Sequence, residues 1–196
     1  MPAMQTPISK EAFNETQQRS LEAAITCVKQ WGIEKTSLND IAKQAGVTRP
    51  TVYSYFPNRN DVIRTALLQS GYAFADRLRE LINRYSTTAD RLVESVLFAL
   101  EELPKEPYLA VLTDADISGY INKDALSDPE GQQICFSLFS EIFRDEDISD
   151  EELAEITEFV VRLALSLLMI SGLVQRDREQ LRGLLQRRLL PAAGLG

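Results

Sequence analysis

The sequence predicts an all-α protein, with a small N-terminal unit of three helices ahead of a larger helical body, about nine helices in total. Three observations carry this. Apolar residues recur three and four positions apart from Leu21 to Leu189. No stretch shows the alternation of a half-buried strand, and no internal repeat is visible. Only 9 Gly and 8 Pro interrupt 196 residues, many of the prolines at apparent breaks, so the chain reads as long helices with few loops.

The first helix begins between Ser9 and Thr16 and runs to about Gln30 on a stripe of Leu21, Ala24, Ile25, Val28 and Trp31, with Gly32 as its stop. Ser37 followed by Asp40 has the form of a capping box. It opens a short helix with Leu38, Ile41, Ala42 and Ala45 facing inward, ended by Gly46. Thr48 caps another short helix with Pro50 in its first turn, where a missing N–H costs nothing. Val52 and Phe56 point inward, and Pro57 stops it.

A long helix follows from Arg59 or Asn60 to Arg84. Further helices are expected over about 89–103, 107–117, 129–144, 150–175 and 177–190, with 118–128 as a loop. The expected units are 1–58 and 59–196.

The net charge is −8, but its distribution is uneven: +2 over residues 1–60 and −10 over 61–196. Lys35, Lys43, Arg49 and Arg59 against Asp40 give the stretch 35–59 a charge of +3. Screening over about 8 Å lets such a face meet phosphates despite an acidic body. There is no histidine, which removes histidine-dependent catalysis and histidine zinc sites, and no enzyme activity is expected. Cys27 and Cys135 lack metal-ligand spacing and read as free thiols. Asp145, Asp147 and Ser149 look like the start of a calcium loop, but Asp150 and Ile156 stand where such a loop needs Gly and Glu. Neither a metal nor a cofactor is expected. No signal peptide and no membrane span is apparent, so a cytoplasmic location is expected.

Two short helices joined by a tight turn fit a helix-turn-helix. The second must be thin enough for a major groove about 12 Å wide and must present donors outward. Arg49, Thr51, Tyr53, Ser54 and Tyr55 supply them. The stretch TSLNDIAKQAGVTRPTVYSYFPNR, residues 36–59, resembles the DNA-binding domain of the TetR family of bacterial regulators, and the similarity reaches back over residues 19–24. By that resemblance Thr48, Arg49 and Thr51 read bases or fix the helix start on phosphate. Tyr53 and Tyr55 touch the DNA backbone, and Arg59 holds a phosphate. Thr36, Ser37, Pro50 and Ser54 complete the expected DNA-binding set.

One such head contacts few base pairs, so a homodimer is expected, with heads about 34–36 Å apart. Leu153, Ile156, Val160, Leu163, Leu167, Ile170 and Val174, then Leu181, Leu184, Leu185 and Leu189, repeat at helical spacing and are the expected seam. The resemblance implies a four-helix bundle there. It also implies an effector pocket among the middle helices, with Phe74, Leu78, Leu97, Phe98, Tyr108, Leu112, Phe136, Phe139 and Phe143 as candidate linings for a small lipophilic or aromatic molecule. The function implied is a ligand-released repressor on a pseudo-palindromic operator. The alternative is a helical ligand-binding or protein-interaction adaptor without operator binding. Arg176, Arg178, Arg182, Arg187 and Arg188 read as a solvated helix face.

Overall fold

The computed structural model describes residues 13–32, 34–106, 128–170, 172 and 174–196. Eight α-helices form within them, with no strand. The expected helix over 107–117, the loop after it, and Tyr108 and Leu112 lie outside the described residues.

The head is α1 (Glu15–Trp31), α2 (Leu38–Ala45) and α3 (Arg49–Tyr55). Local chemistry sets each boundary. Asn14 and Gln17 close a capping box on α1, and Ser37 and Asp40 close one on α2. The α2–α3 turn depends on Gly46, whose φ of 67° is left-handed. Its N–H and that of Val47 satisfy the last carbonyls of α2, and the guanidinium of Arg19 donates to the Ala45 carbonyl from α1. A Cβ at Gly46 would lie 2.8 Å from Arg19 Nη2. Gly46→Ala should therefore cost about 1–2 kcal/mol from the left-handed backbone alone, read as a lower midpoint in urea denaturation.

Leu21, Ala24, Ile25 and Val28 of α1, Ile41, Ala42 and Ala45 of α2, and Val52 of α3 form the head core together with Phe56. Val62, Ile63 and Ala66 join them from α4 (Arg59–Ile82), so the packing unit of the head extends about two turns into that helix. Trp31, expected on the apolar stripe, is instead exposed, because α1 ends there and Gly32 (φ 83°) turns the chain away.

The rest of α4 belongs to a second core. Phe74, Ala75, Leu78 and Ile82 pack there with α5 (Thr88–Glu102), α6 (Pro129–Ile142), α7 (Asp150–Met169) and α8 (Arg178–Ala192). α4 lies against α5 and α6, while α5 also contacts α7 and α8. One continuous helix thus runs from the head into the body. Ser149 caps α7, and Asp150, Glu151 and Glu152 sit in its first turn, where carboxylates favour the helix dipole.

α7 stops at Met169, short of the expected Gln175. Ile170 is already extended, and Gly172 would weaken a continuing helix by about 1 kcal/mol relative to alanine. Ile170 and Val174 are accordingly exposed and off the helical stripe. Leu153, Ile156, Val160, Leu185 and Leu189, placed in the expected seam, are buried in the chain's own core. An apolar stripe satisfied by α5 and α6 is not available to a partner.

No helix among the described residues is long and apolar enough to cross a membrane. Among the same residues, no group of three or more acidic or sulfur ligands comes together. Cys27 is buried and Cys135 half-buried, both free thiols, and burial pushes both thiols up from their ordinary range.

Candidate nucleic-acid interface

α3 has two unlike sides. Val52 is fully buried and Phe56 nearly so, which anchors the helix on α1, α2 and α4. Opposite them, Arg49, Pro50, Tyr53, Ser54 and Tyr55 are exposed, Tyr53 to 60%. The side chains of Arg49, Tyr53 and Tyr55 make no hydrogen bond or ion pair among the described residues.

The helix start is held rigid. Thr48 Oγ1 accepts from the Thr51 N–H at 3.3 Å and lies 2.8 Å from the Thr51 hydroxyl. The Ser54 hydroxyl donates to the Thr51 carbonyl at 2.7 Å. The hydroxyls of Thr48, Thr51 and Ser54 therefore shape α3 first, and Arg49 and the two tyrosines are the groups left to reach outward. Pro50 lies in the first turn and needs no partner.

Three residues of the expected set make bonds within the head. Thr36 is fully buried and its hydroxyl donates to the Gly32 carbonyl at 2.8 Å. It pins the α1–α2 turn and cannot reach DNA. Ser37 is exposed, but its hydroxyl is 2.6 Å from Asp40 within the α2 cap. That bond holds the Asp40 carboxyl below the usual carboxylate range. Arg59 turns back, donating at 2.9 Å to the carbonyls of both Glu34 and Thr36. Its guanidinium ties the turn before α2 to the start of α4. Sequence pattern locates such residues but not the direction in which a long side chain folds.

The body side of α4 is clasped to α6. Arg64 pairs with Asp128 and lies 3.2 Å from Glu130, which also receives the Tyr72 hydroxyl at 3.2 Å. Arg79 donates to Glu141 at 2.7 Å and to Ser137 at 3.0 Å. None of this was visible in the sequence, because the partners lie about sixty residues apart. Burial pushes Asp128 up, but the bonds from Arg64 and from the Gly131 and Glu130 N–H groups outweigh it, and its carboxyl ends below the ordinary 3.8. The clasp's contribution is thus complete above the unfolded carboxylate pKa and is lost as pH falls through the lower folded value. Thermal midpoints taken from about pH 6 to about pH 3 should fall more steeply for the native chain than for Arg64→Ala.

Of the expected pocket residues, Phe74, Leu78, Leu97, Phe139 and Phe143 are buried in the body core, with Phe98 and Phe136 packed against it. The Phe74 and Phe98 rings stand 5.4 Å apart, and the Arg77 guanidinium lies over both. Two hollows lie elsewhere, one of about 410 Å³ beside Val174, Arg176 and Arg187, and one of about 320 Å³ between Arg19 and Gly46. The structure brings the aromatic residues together without placing either hollow among them.

The head geometry is matched by sequence. Residues 21–66 fit the model of the bacterial regulatory proteins of the tetR family. Over residues 21–66 the chain is similar to the DNA-binding domain of the TetR family. Its head and the first two turns of α4 are the part that this match covers. A probable acrEF/envCD operon repressor of Escherichia coli K12 is 34% identical over 99 residues, 47% of this chain and 43% of that protein. The chain spans less than half the length of the curated relatives first matched. Solved structures share the fold over about nine tenths of the chain. The TetR-family repressor AlkX of Dietzia, implicated in biodegradation of n-alkanes, gives a TM-score of 0.59 at 22% identity, covering 91% of this chain and 96% of that one. FadR of Bacillus subtilis, solved with stearoyl-CoA, gives 0.58 at 20% identity, covering 90% and 96%.

Proposed function

We propose that this protein is a cytoplasmic, ligand-responsive transcriptional repressor of the TetR family. It binds a pseudo-palindromic operator as a homodimer and leaves it when a small lipophilic or aromatic effector binds. The observation that carries this reading is the exposed side of α3, where Arg49, Tyr53 and Tyr55 project from a capped, rigid helix. Arg49 is suited to guanine in the major groove, and phosphate contacts supply most of the affinity.

The functional division falls inside α4, since Val62, Ile63 and Ala66 pack in the head and Phe74 to Ile82 in the body. The seam is drawn from residues the chain itself leaves open. These are exposed Phe159 and half-buried Leu163 and Leu167 on α7, with half-buried Leu181 and Leu184 on α8. The aromatic cluster around Phe74 and Phe98 supports an apolar effector. So do the alkane and stearoyl-CoA contexts of the two fold relatives. The effector acts by favouring one placement of α4, which the Arg64 and Arg79 clasps join to α6. Shifting operator affinity about a thousandfold requires roughly 4 kcal/mol of differential effector binding.

Nuclease footprinting on the promoter upstream of its own gene tests the reading. One protected site with twofold symmetry is expected, weakening steeply with salt. Absence of any protected site there or in a randomised duplex pool would leave only the adaptor role.

A further inference from the structure

Arg91 and Glu94 lie one turn apart on α5, and each side chain is only 1% exposed. Arg91 donates to the Ile142 carbonyl at 2.9 Å and pairs with Asp145 at 2.6 Å, fixing the end of α6. Glu94 is paired with α8 instead. Its Oε2 receives Arg178 at 3.0 Å, and its Oε1 pairs with Arg182. Arg178 also reaches Glu101 at 2.7 Å. Arg178, half-exposed, and Arg182 therefore do more than face solvent: both reach Glu94 from the side of α8 that carries Leu185 and Leu189.

Leucines alone under-specify that helix. Leu181, Leu184, Leu185, Leu189 and Leu190 spread around a broad arc of α8, so a turn of about 100°, one residue, would still offer apolar side chains to α5. It would carry both guanidinium groups away from Glu94. We propose that Glu94 is a positioning residue. Its two oxygens, each taken by an arginine from a successive turn, select one rotation and height of α8. They thereby decide which leucines remain for a second copy of the chain. The last step rests on the dimeric reading above. A buried ion cluster adds little stability over well-packed apolar residues, but it removes alternative packings.

The test separates stability from position. Glu94→Met, Arg178→Met and Arg182→Met are combined, so that no charge is left buried alone. Spin labels replace exposed Ser86 and Gln186 in a Cys135→Ser background, with labelled chain diluted in unlabelled. The native chain should show one narrow distance. The triple variant should melt within a few degrees of it yet show a broadened or second distance, with a dimer dissociation constant raised about tenfold or more. A single unchanged distance would overturn the proposal. Should the triple variant not fold, Arg178→Met alone, at a half-exposed position, is measured: broadening supports the role and an unchanged distance overturns it. A native chain that is monomeric, with the distance still broadening in the variants, would sink the dimer and leave Glu94's role standing.

Discussion

Replacing Arg49 and Tyr53 together by alanine is expected to lower operator affinity about a thousandfold, with no loss of fold. The magnitude follows from the contacts each could make. A bidentate arginine on guanine contributes about 1–3 kcal/mol, and the loss occurs twice in a dimer. With about 1.5 kcal/mol taken for each arginine and about 0.5 kcal/mol for each Tyr53 hydroxyl, the two heads together lose about 4 kcal/mol, or nearly three decades. The fold should survive because both side chains point into solvent and take no part in the head core. Mobility-shift titration of the variant at fixed salt measures the affinity, and its circular dichroism and melting curve check the fold. Native affinity in the double variant would remove α3 as the reading element.

Arg91→Ala is expected to lower stability far more than removal of an exposed arginine of the body. The side chain is buried and joins α5 to the Ile142 carbonyl, the Thr88 hydroxyl and Asp145. Its removal leaves a void and an unpaired carbonyl, costing about 2–4 kcal/mol. For a chain of this size that lowers the melting midpoint by about 5–15 °C. Arg162→Ala is the control. Its ion pair with Glu158 is mostly exposed on both sides, and such pairs contribute about 0.5 kcal/mol or less. Equal effects in the two variants would mean that burial does not set the worth of these arginines.

Features written in local chemistry could be read from the sequence. Ser37 with Asp40, Gly46, Thr48 and Pro50 define the head within a few residues, and each acts where it was expected. Val52 and Phe56 face inward because a seven-residue helix has room for only one buried side. What the pattern does not hold is the choice among partners. The apolar face of α7 has helical period, but only packing assigns Leu153, Ile156 and Val160 to the chain's own core and leaves Phe159 in solvent. Long charged side chains are harder still. Arg59, Arg178 and Arg182 look like surface cations until the fold brings Thr36 and Glu94 to them.

The proposed function places the side of α3 opposite Val52 along base edges in the major groove. Methylation interference on a selected operator examines this directly, since guanine N7 is a major-groove atom and adenine N3 a minor-groove one. The account predicts that N7 methylation blocks binding at guanines in two half-sites centred about 34–36 Å apart. Binding indifferent to N7 methylation and blocked only by adenine N3 methylation would contradict it.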